Sequence, residues 1–159
     1  MRIGFGYDSH VFSDDENRLL KLGGIVIPDE KGLKGHSDAD VLIHAIIDAL
    51  LGAVAAGDIG QKFPDNDIRW KNADSMKLLE SVIQEISSMG YRVGNIDATV
   101  ICEHPKLRPH VNSIRSNLAI ALKTDVANVS VKGKTNEKMD DVGKGLGIET
   151  HCVVLLEKS

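Results

Sequence analysis

The sequence predicts an α+β domain: a mixed four-stranded main sheet, a small hairpin beside it, and helices packed on one face. Three observations carry this. Some segments repeat their apolar residues at helical spacing, and others alternate or run apolar over strand lengths. Gly23-Gly24 parts two short apolar runs as a hairpin turn does. The resulting order is strand, hairpin, helix, helix, strand, helix, strand, strand.

Taken in turn, residues 2–7 read as a short strand, and 19–22 with 25–28 flank the Gly23-Gly24 turn. Residues from about 40 to 56 are apolar almost all round, the pattern of a deeply buried helix. Asp74 caps a second helix whose Leu79, Val82, Ile83 and Ile86 share a face, and Gly90 ends it. Residues 96–103 alternate Ile96, Ala98, Val100, Cys102 with Asp97, Thr99, Ile101, Glu103, a half-buried strand. Pro109 opens a third helix with Val111, Ile114 and Leu118 inward. Residues 129–132 and 148–157 are the last strands. The run Val153-Val154-Leu155-Leu156 breaks alternation, so the free face of the sheet is expected to be covered too, another subunit being one cover.

The chain has 159 residues, 19 Lys and Arg against 23 Asp and Glu, and a formal net charge of −4. That length predicts a single domain, 1–159, with a core large enough to need no staples. Aromatics are only 4%, so the core must come from Ile, Leu, Val and Ala. An acidic chain without a basic stripe excludes nucleic acid as a partner. The longest apolar stretch, 41–57, contains His44 and Asp48 and is too short to span a bilayer, so no membrane partner is expected. Cys102 and Cys152 form no CxxC motif and read as reduced core thiols. With no signal-peptide apolar region after Met1, the expected location is cytoplasmic.

Asp8 and His10 lie two residues apart at the exit of the first strand, which puts both side chains on one side. Asp with His suits Zn²⁺, and a third ligand would leave one position open for substrate. His44, alone in a buried apolar helix, is the best third ligand, with Asp40 and Asp48 four residues to either side to hold its tautomer. The bland readings are a hydrogen-bonded core histidine and an Asp-x-His turn; spacing alone does not bring the pair to His44.

Before that helix, Gly35-His36-Ser37-Asp38-Ala39-Asp40 fits a capped helix start, with Ser37 or Asp38 as N-cap, and fits equally an anion site. Capping does not account for His36. The stretches Gly57-Asp58-Ile59-Gly60 and Phe63-Pro64-Asp65-Asn66-Asp67 read first as a connecting loop. Gly133-Lys134-Thr135-Asn136-Glu137-Lys138 follows a strand and reads as a turn with a defective capping box. Gly143-Lys144-Gly145-Leu146-Gly147 lacks the Gly-Lys-Ser/Thr ending of a phosphate loop.

Together, Gly6-Tyr7-Asp8-Ser9-His10, Gly35 through His44, Gly57-Asp58-Ile59-Gly60, Phe63-Pro64-Asp65, Pro105-Lys106 and Lys134 through Lys138 stand in an order that closely resembles the 2-C-methyl-D-erythritol 2,4-cyclodiphosphate synthase family of the non-mevalonate isoprenoid pathway, over essentially the whole chain. The resemblance implies a lyase that converts 4-diphosphocytidyl-2-C-methyl-D-erythritol 2-phosphate to the cyclic diphosphate, releasing CMP when the 2-phosphate attacks the β-phosphorus. It implies Zn²⁺ on Asp8, His10 and His44, and Mg²⁺ or Mn²⁺ on Glu137 bridging the phosphates. It implies His36 and Thr135 as transition-state stabilisers. Ser9, Ser37, Asp58, Ile59, Gly60, Phe63, Pro64, Asp65, Asn66, Asp67 and Lys144 correspond to the erythritol and phosphate pocket. Cys102, Glu103, His104, Pro105, Lys106, Leu107, Arg108, Lys134 and Asn136 correspond to the cytidine pocket. It also implies a homotrimer with active sites between subunits. Asp141, Lys144 and His151 stand where the family often has Phe, Arg and Glu near the trimer axis, so the resemblance does not extend to the isoprenoid diphosphate some members bind there. Two other readings are a zinc-dependent phosphohydrolase and a non-catalytic trimer that binds isoprenoid diphosphates.

Overall fold

The structure is a computed structural model and describes residues 1–159. In chain order come strand β1 (Arg2–Val11), hairpin strands β2 (Leu19–Leu22) and β3 (Ile25–Lys31), helix α1 (Val41–Ala53) and a one-turn helix α2 (Ile59–Lys62). Helix α3 (Ser75–Ser88), strand β4 (Tyr91–Ile101), helix α4 (Val111–Leu122), and strands β5 (Val129–Lys134) and β6 (Gly147–Lys158) complete it, with 3₁₀ turns at Ile68–Trp70 and Val126–Asn128. The main sheet is ordered β1-β6-β4-β5. Its first two pairings are antiparallel and the β4–β5 pairing is parallel, so the sheet is mixed and four-stranded as expected.

Helix α1 lies on β1 and β6, with α3 and α4 over β4 and β5. Alternate residues of β6, from Ile148 to Leu156, are buried beneath them. On the opposite face Ile3 and Phe5 are 73% and 61% exposed, and Tyr7 and Val153 are exposed as well. The single chain therefore leaves bare the sheet face that the last strand's sequence marks as apolar. No helix is long and apolar enough to cross a membrane.

Helix α1 is buried along nearly its whole length, which is why its sequence has no polar stripe. It settles onto β1 at backbone contact because β1 has no side chains there. A Cβ on Gly4 would stand 1.8 Å from the Ala49 carbonyl oxygen, and one on Gly6 would stand 1.9 Å from that of Ala45. The N-cap is Asp40, not Ser37 or Asp38, because Ala39 takes a left-handed turn (φ 57°) that separates those two from the helix. The Asp40 carboxylate accepts from Ile43 N–H at 3.1 Å and, across the fold, from Gly23 and Gly24 N–H at 3.0 and 2.7 Å. Burial pushes its pKa up against these three bonds. The helix ends at Ala53 rather than near 56, since Ala55 and Gly57 are also left-handed.

Elsewhere, Asp74 caps α3 as expected, accepting from Met76 N–H at 3.0 Å, and Gly90 follows it at φ 77°. Helix α4 starts at Val111, two residues after Pro109. Strand β4 begins at Tyr91, ahead of the expected 96, because a bulge between Val93 and Asn95 breaks the alternation. Burial raises the Cys102 and Cys152 thiols to about 11 and about 12, so both are inert free cysteines.

Candidate metal centre and active site

Strand β1 does not stop at Tyr7. Asp8 pairs with Thr150 and His10 with Ile148 of β6, so both lie inside the strand. Its period of two puts Gly4, Gly6, Asp8 and His10 on the side facing α1. Because the glycines let α1 descend, His44 reaches Asp8. The three ligand atoms converge: His10 Nε2 and His44 Nδ1 are each 3.0 Å from Asp8 Oδ2 and 3.3 Å from one another. Tetrahedral bonds of 2.0–2.1 Å require donor separations of about 3.3 Å, so the set fits a small divalent cation with a fourth position open. These residues form one group able to hold a metal.

The outer nitrogens are held. His10 Nδ1–H donates to the Lys34 carbonyl at 2.7 Å, which leaves Nε2 as the free lone pair. His44 Nε2 faces Ser75 Oγ at 2.9 Å and Ser37 Oγ at 3.1 Å. Asp40 and Asp48, expected beside the imidazole, are occupied elsewhere: Asp40 caps α1, and Asp48 accepts from Ile59 N–H at 2.8 Å. Four-residue spacing was the wrong guide because Asp38 and Ser75 arrive from outside the helix.

Burial pushes the Asp8 carboxyl up, but hydrogen bonds from His10 and His44, with their charges, outweigh it and hold the pKa at about 2. Burial pushes His10 down, yet its bond to Asp8, the Asp8 charge and the Lys34 carbonyl leave its pKa above the ordinary 6.5. In the metal-free protein the Asp8 contribution to stability is present above pH 3.8 and lost as pH falls towards 2. That of His10 is complete below pH 6.5 and lost as pH rises through its raised value. A cation must displace the His10 proton. Metal affinity, measured by competition titration between about pH 6 and about pH 8, is therefore expected to rise about tenfold per unit until that proton is gone. A flat profile would contradict a liganding His10.

The metal group opens into a cavity of about 220 Å³ that also carries Gly35, His36, Ser37, Ile59, Gly60, Phe63 and Asp65. Trp70 and Leu78 line it too, and nothing in the local sequence pattern marks them. His36 Nε2 is buried without a partner. The 57–67 stretch is more than a loop: Asp58 caps α2, accepting from Gln61 N–H at 2.8 Å, and Asp67 caps the next turn and pairs with Arg69 at 2.6 Å. Asp58, Pro64, Asn66 and Asp67 stay off the cavity wall, and Ser9 is exposed on β1.

A second cavity, about 970 Å³, is lined by Cys102, Pro105, Lys106, Leu107, Arg108 and Lys134, and by Asn112 and Lys132, which the motifs did not mark. Thr135 and Glu137 belong to it rather than to the metal cavity. The Thr135 hydroxyl donates to Glu137 at 3.0 Å, and Glu137 and Lys138 are both left-handed. Glu103, His104 and Asn136 lie outside its lining. His104 stacks on Phe12 and pairs with Glu30 at 3.3 Å, and Asn136 donates to Asp140 at 2.7 Å.

A family model described as the YgbB family matches residues 1–157. A 2-C-methyl-D-erythritol 2,4-cyclodiphosphate synthase from Brachyspira hyodysenteriae is 57% identical over all of this chain and 99% of its own. This chain belongs to the cyclodiphosphate synthase family. A second cyclodiphosphate synthase, from Clostridioides difficile, is 53% identical over 98% of this chain and 96% of its own. Among solved structures, IspF of Plasmodium falciparum in complex with CDP superposes with a TM-score of 0.87 at 36% identity, covering 99% of this chain and 96% of that one. The bifunctional IspDF from Campylobacter jejuni matches with a TM-score of 0.94 at 40% identity, and this chain spans 42% of its length. Asp141, Lys144 and His151, which the resemblance set apart, are locally paired. Lys144 bonds Asp141 at 3.2 Å, and His151 bonds Glu149 at 2.6 Å while packing against Tyr7.

Proposed function

We propose that this chain converts 4-diphosphocytidyl-2-C-methyl-D-erythritol 2-phosphate to 2-C-methyl-D-erythritol 2,4-cyclodiphosphate with release of CMP; it is a lyase of isoprenoid biosynthesis. The observation that carries this is the convergence of Asp8, His10 and His44 beside a His36 whose Nε2 has no protein partner. Nucleophile and electrophile are both anionic phosphates, so the barrier is mainly repulsion and positioning, and no side-chain nucleophile is required. Zn²⁺ on the three ligands, with Mg²⁺ or Mn²⁺ on Glu137, supplies positive charge to phosphate oxygens when bound. His36 and Ser37 face the cavity and serve as hydrogen-bond donors to the phosphate, with Thr135 completing the set. Ile59, Gly60, Phe63 and Asp65 form the wall for the methylerythritol. Lys106 and Lys134 offset phosphate charge at the cytidine end, where backbone and small side chains rather than aromatic stacking hold the base.

Thr135 and Glu137 line a different cavity from the metal group, and in this reading they act on a substrate held by the metal centre of another copy. A homotrimer with active sites between subunits has that arrangement, and the bare apolar face of β1 and β6 supplies a surface for it. The expected working compartment is the cytoplasm.

The test uses purified protein with Zn²⁺ and Mg²⁺ in oxygen-18 water, its mass read by light scattering. A trimer that releases CMP and yields an unlabelled cyclic product is expected. Label in the product would convert the reading to phosphohydrolysis, and ligand binding without turnover would leave a binding module.

A further inference from the structure

The geometry points to Asp38 and Ser75 as positioning residues that hold His44 in the tautomer able to bind a cation. The inference rests on the metal-centre reading above. The hydrogen bonds determine their own direction. Asp38 Oδ1 accepts the Ser75 hydroxyl, while Oδ2 accepts the Ser75 backbone N–H at 3.2 Å and the Lys21 ammonium at 3.3 Å. An ionised carboxylate only accepts, so the single hydroxyl proton of Ser75 is committed to Asp38. The Ser75 oxygen therefore meets His44 Nε2, 2.9 Å away, as an acceptor, and the ring must donate. With hydrogen fixed on Nε2, the lone pair that a cation takes is that of Nδ1, which bonds Asp8 Oδ2 at 3.0 Å in the metal-free protein.

Ser37 Oγ agrees with this. It accepts from Ala39 N–H at 3.2 Å and meets the same Nε2 at 3.1 Å, which leaves its own proton free for the cavity it lines. Ser75 is fully buried as the first residue of α3, so water does not compete for these bonds. The pairing links the start of α3 and the loop before α1 to a ligand on neither.

Asp38→Asn reverses the relay. The amide oxygen stays with Lys21 and the Ser75 N–H, two donors at 3.3 and 3.2 Å against the single Asp40 N–H at 3.4 Å on the other side, and its NH₂ then meets the Ser75 hydroxyl. That hydroxyl turns its proton onto His44 Nε2 and moves the ring hydrogen to Nδ1. Zn²⁺ affinity, measured by competition with a chromophoric chelator, is expected to fall about 10–100-fold. The ¹⁵N shifts of the metal-free variant are expected to report a His44 Nε2 that has lost the hydrogen it carries in the wild type. Ser75→Ala removes the group that carries the reversal, so the double variant is expected to bind Zn²⁺ more tightly than Asp38→Asn alone. Mere loss of loop structure predicts no such recovery. Unchanged affinity in Asp38→Asn, an Nε2-protonated His44 there, or a double variant weaker still would overturn the relay. Failure of the wild-type protein to take up Zn²⁺ would overturn the metal-centre reading and the relay with it.

Discussion

His44→Ala is expected to lose stoichiometric metal and to lower CMP release about 1000-fold or more, roughly 4 kcal/mol of transition-state stabilisation. The fold should survive. His44 lies on a helix whose other buried residues are apolar, and alanine is the best helix former. Asp8 and His10 keep their mutual contact, so two ligand atoms remain where three are needed. Circular dichroism checks the fold, and mass spectrometry counts the metal in the same sample. A variant that still carries one metal per chain would sink the ligand assignment.

The second large effect is structural. Gly6→Ala is expected to destabilise the protein by about 3 kcal/mol or more, read from chemical denaturation. The added carbon would meet the Ala45 carbonyl at 1.9 Å and the Ala49 nitrogen at 2.6 Å, and neither belongs to a flexible side chain. Gly52→Ala in α1 is the control. Its Cβ would meet nothing nearer than 3.8 Å, so that change should raise stability by about 0.5–1 kcal/mol. Wild-type stability in Gly6→Ala would mean that α1 and β1 are not in backbone contact.

These two positions also show where sequence reasoning works. The α1 pattern is legible because burial on all sides removes every polar residue except those with a task, and His44 stands out for that reason. Asp8 and His10 were readable as a same-side pair from strand periodicity. Their meeting with His44 was not, because it depends on how closely α1 approaches β1 across the fold. Helix α2 escaped because four residues are too few for a periodic signal. The early start of β4 escaped because its bulge interrupts alternation. Ser75 has the least local signature: beside a capping Asp74 it resembles any first-turn serine, and only the arrival of Asp38 and His44 gives it a purpose. The motifs placed Thr135 and Glu137 in the site by family likeness, and the single chain holds them in a different cavity.

The backbone contact at Gly4 and Gly6 has a bearing on ion choice. Donors on a strand and a helix that touch cannot easily spread. Donors 3.0–3.3 Å apart suit bonds of about 2.0–2.1 Å at the tetrahedral angle, whereas calcium asks for six to eight oxygens and finds one carboxylate here. The absence of two methyl groups thus sets how closely the three donors meet, from positions four and two residues before the first of them.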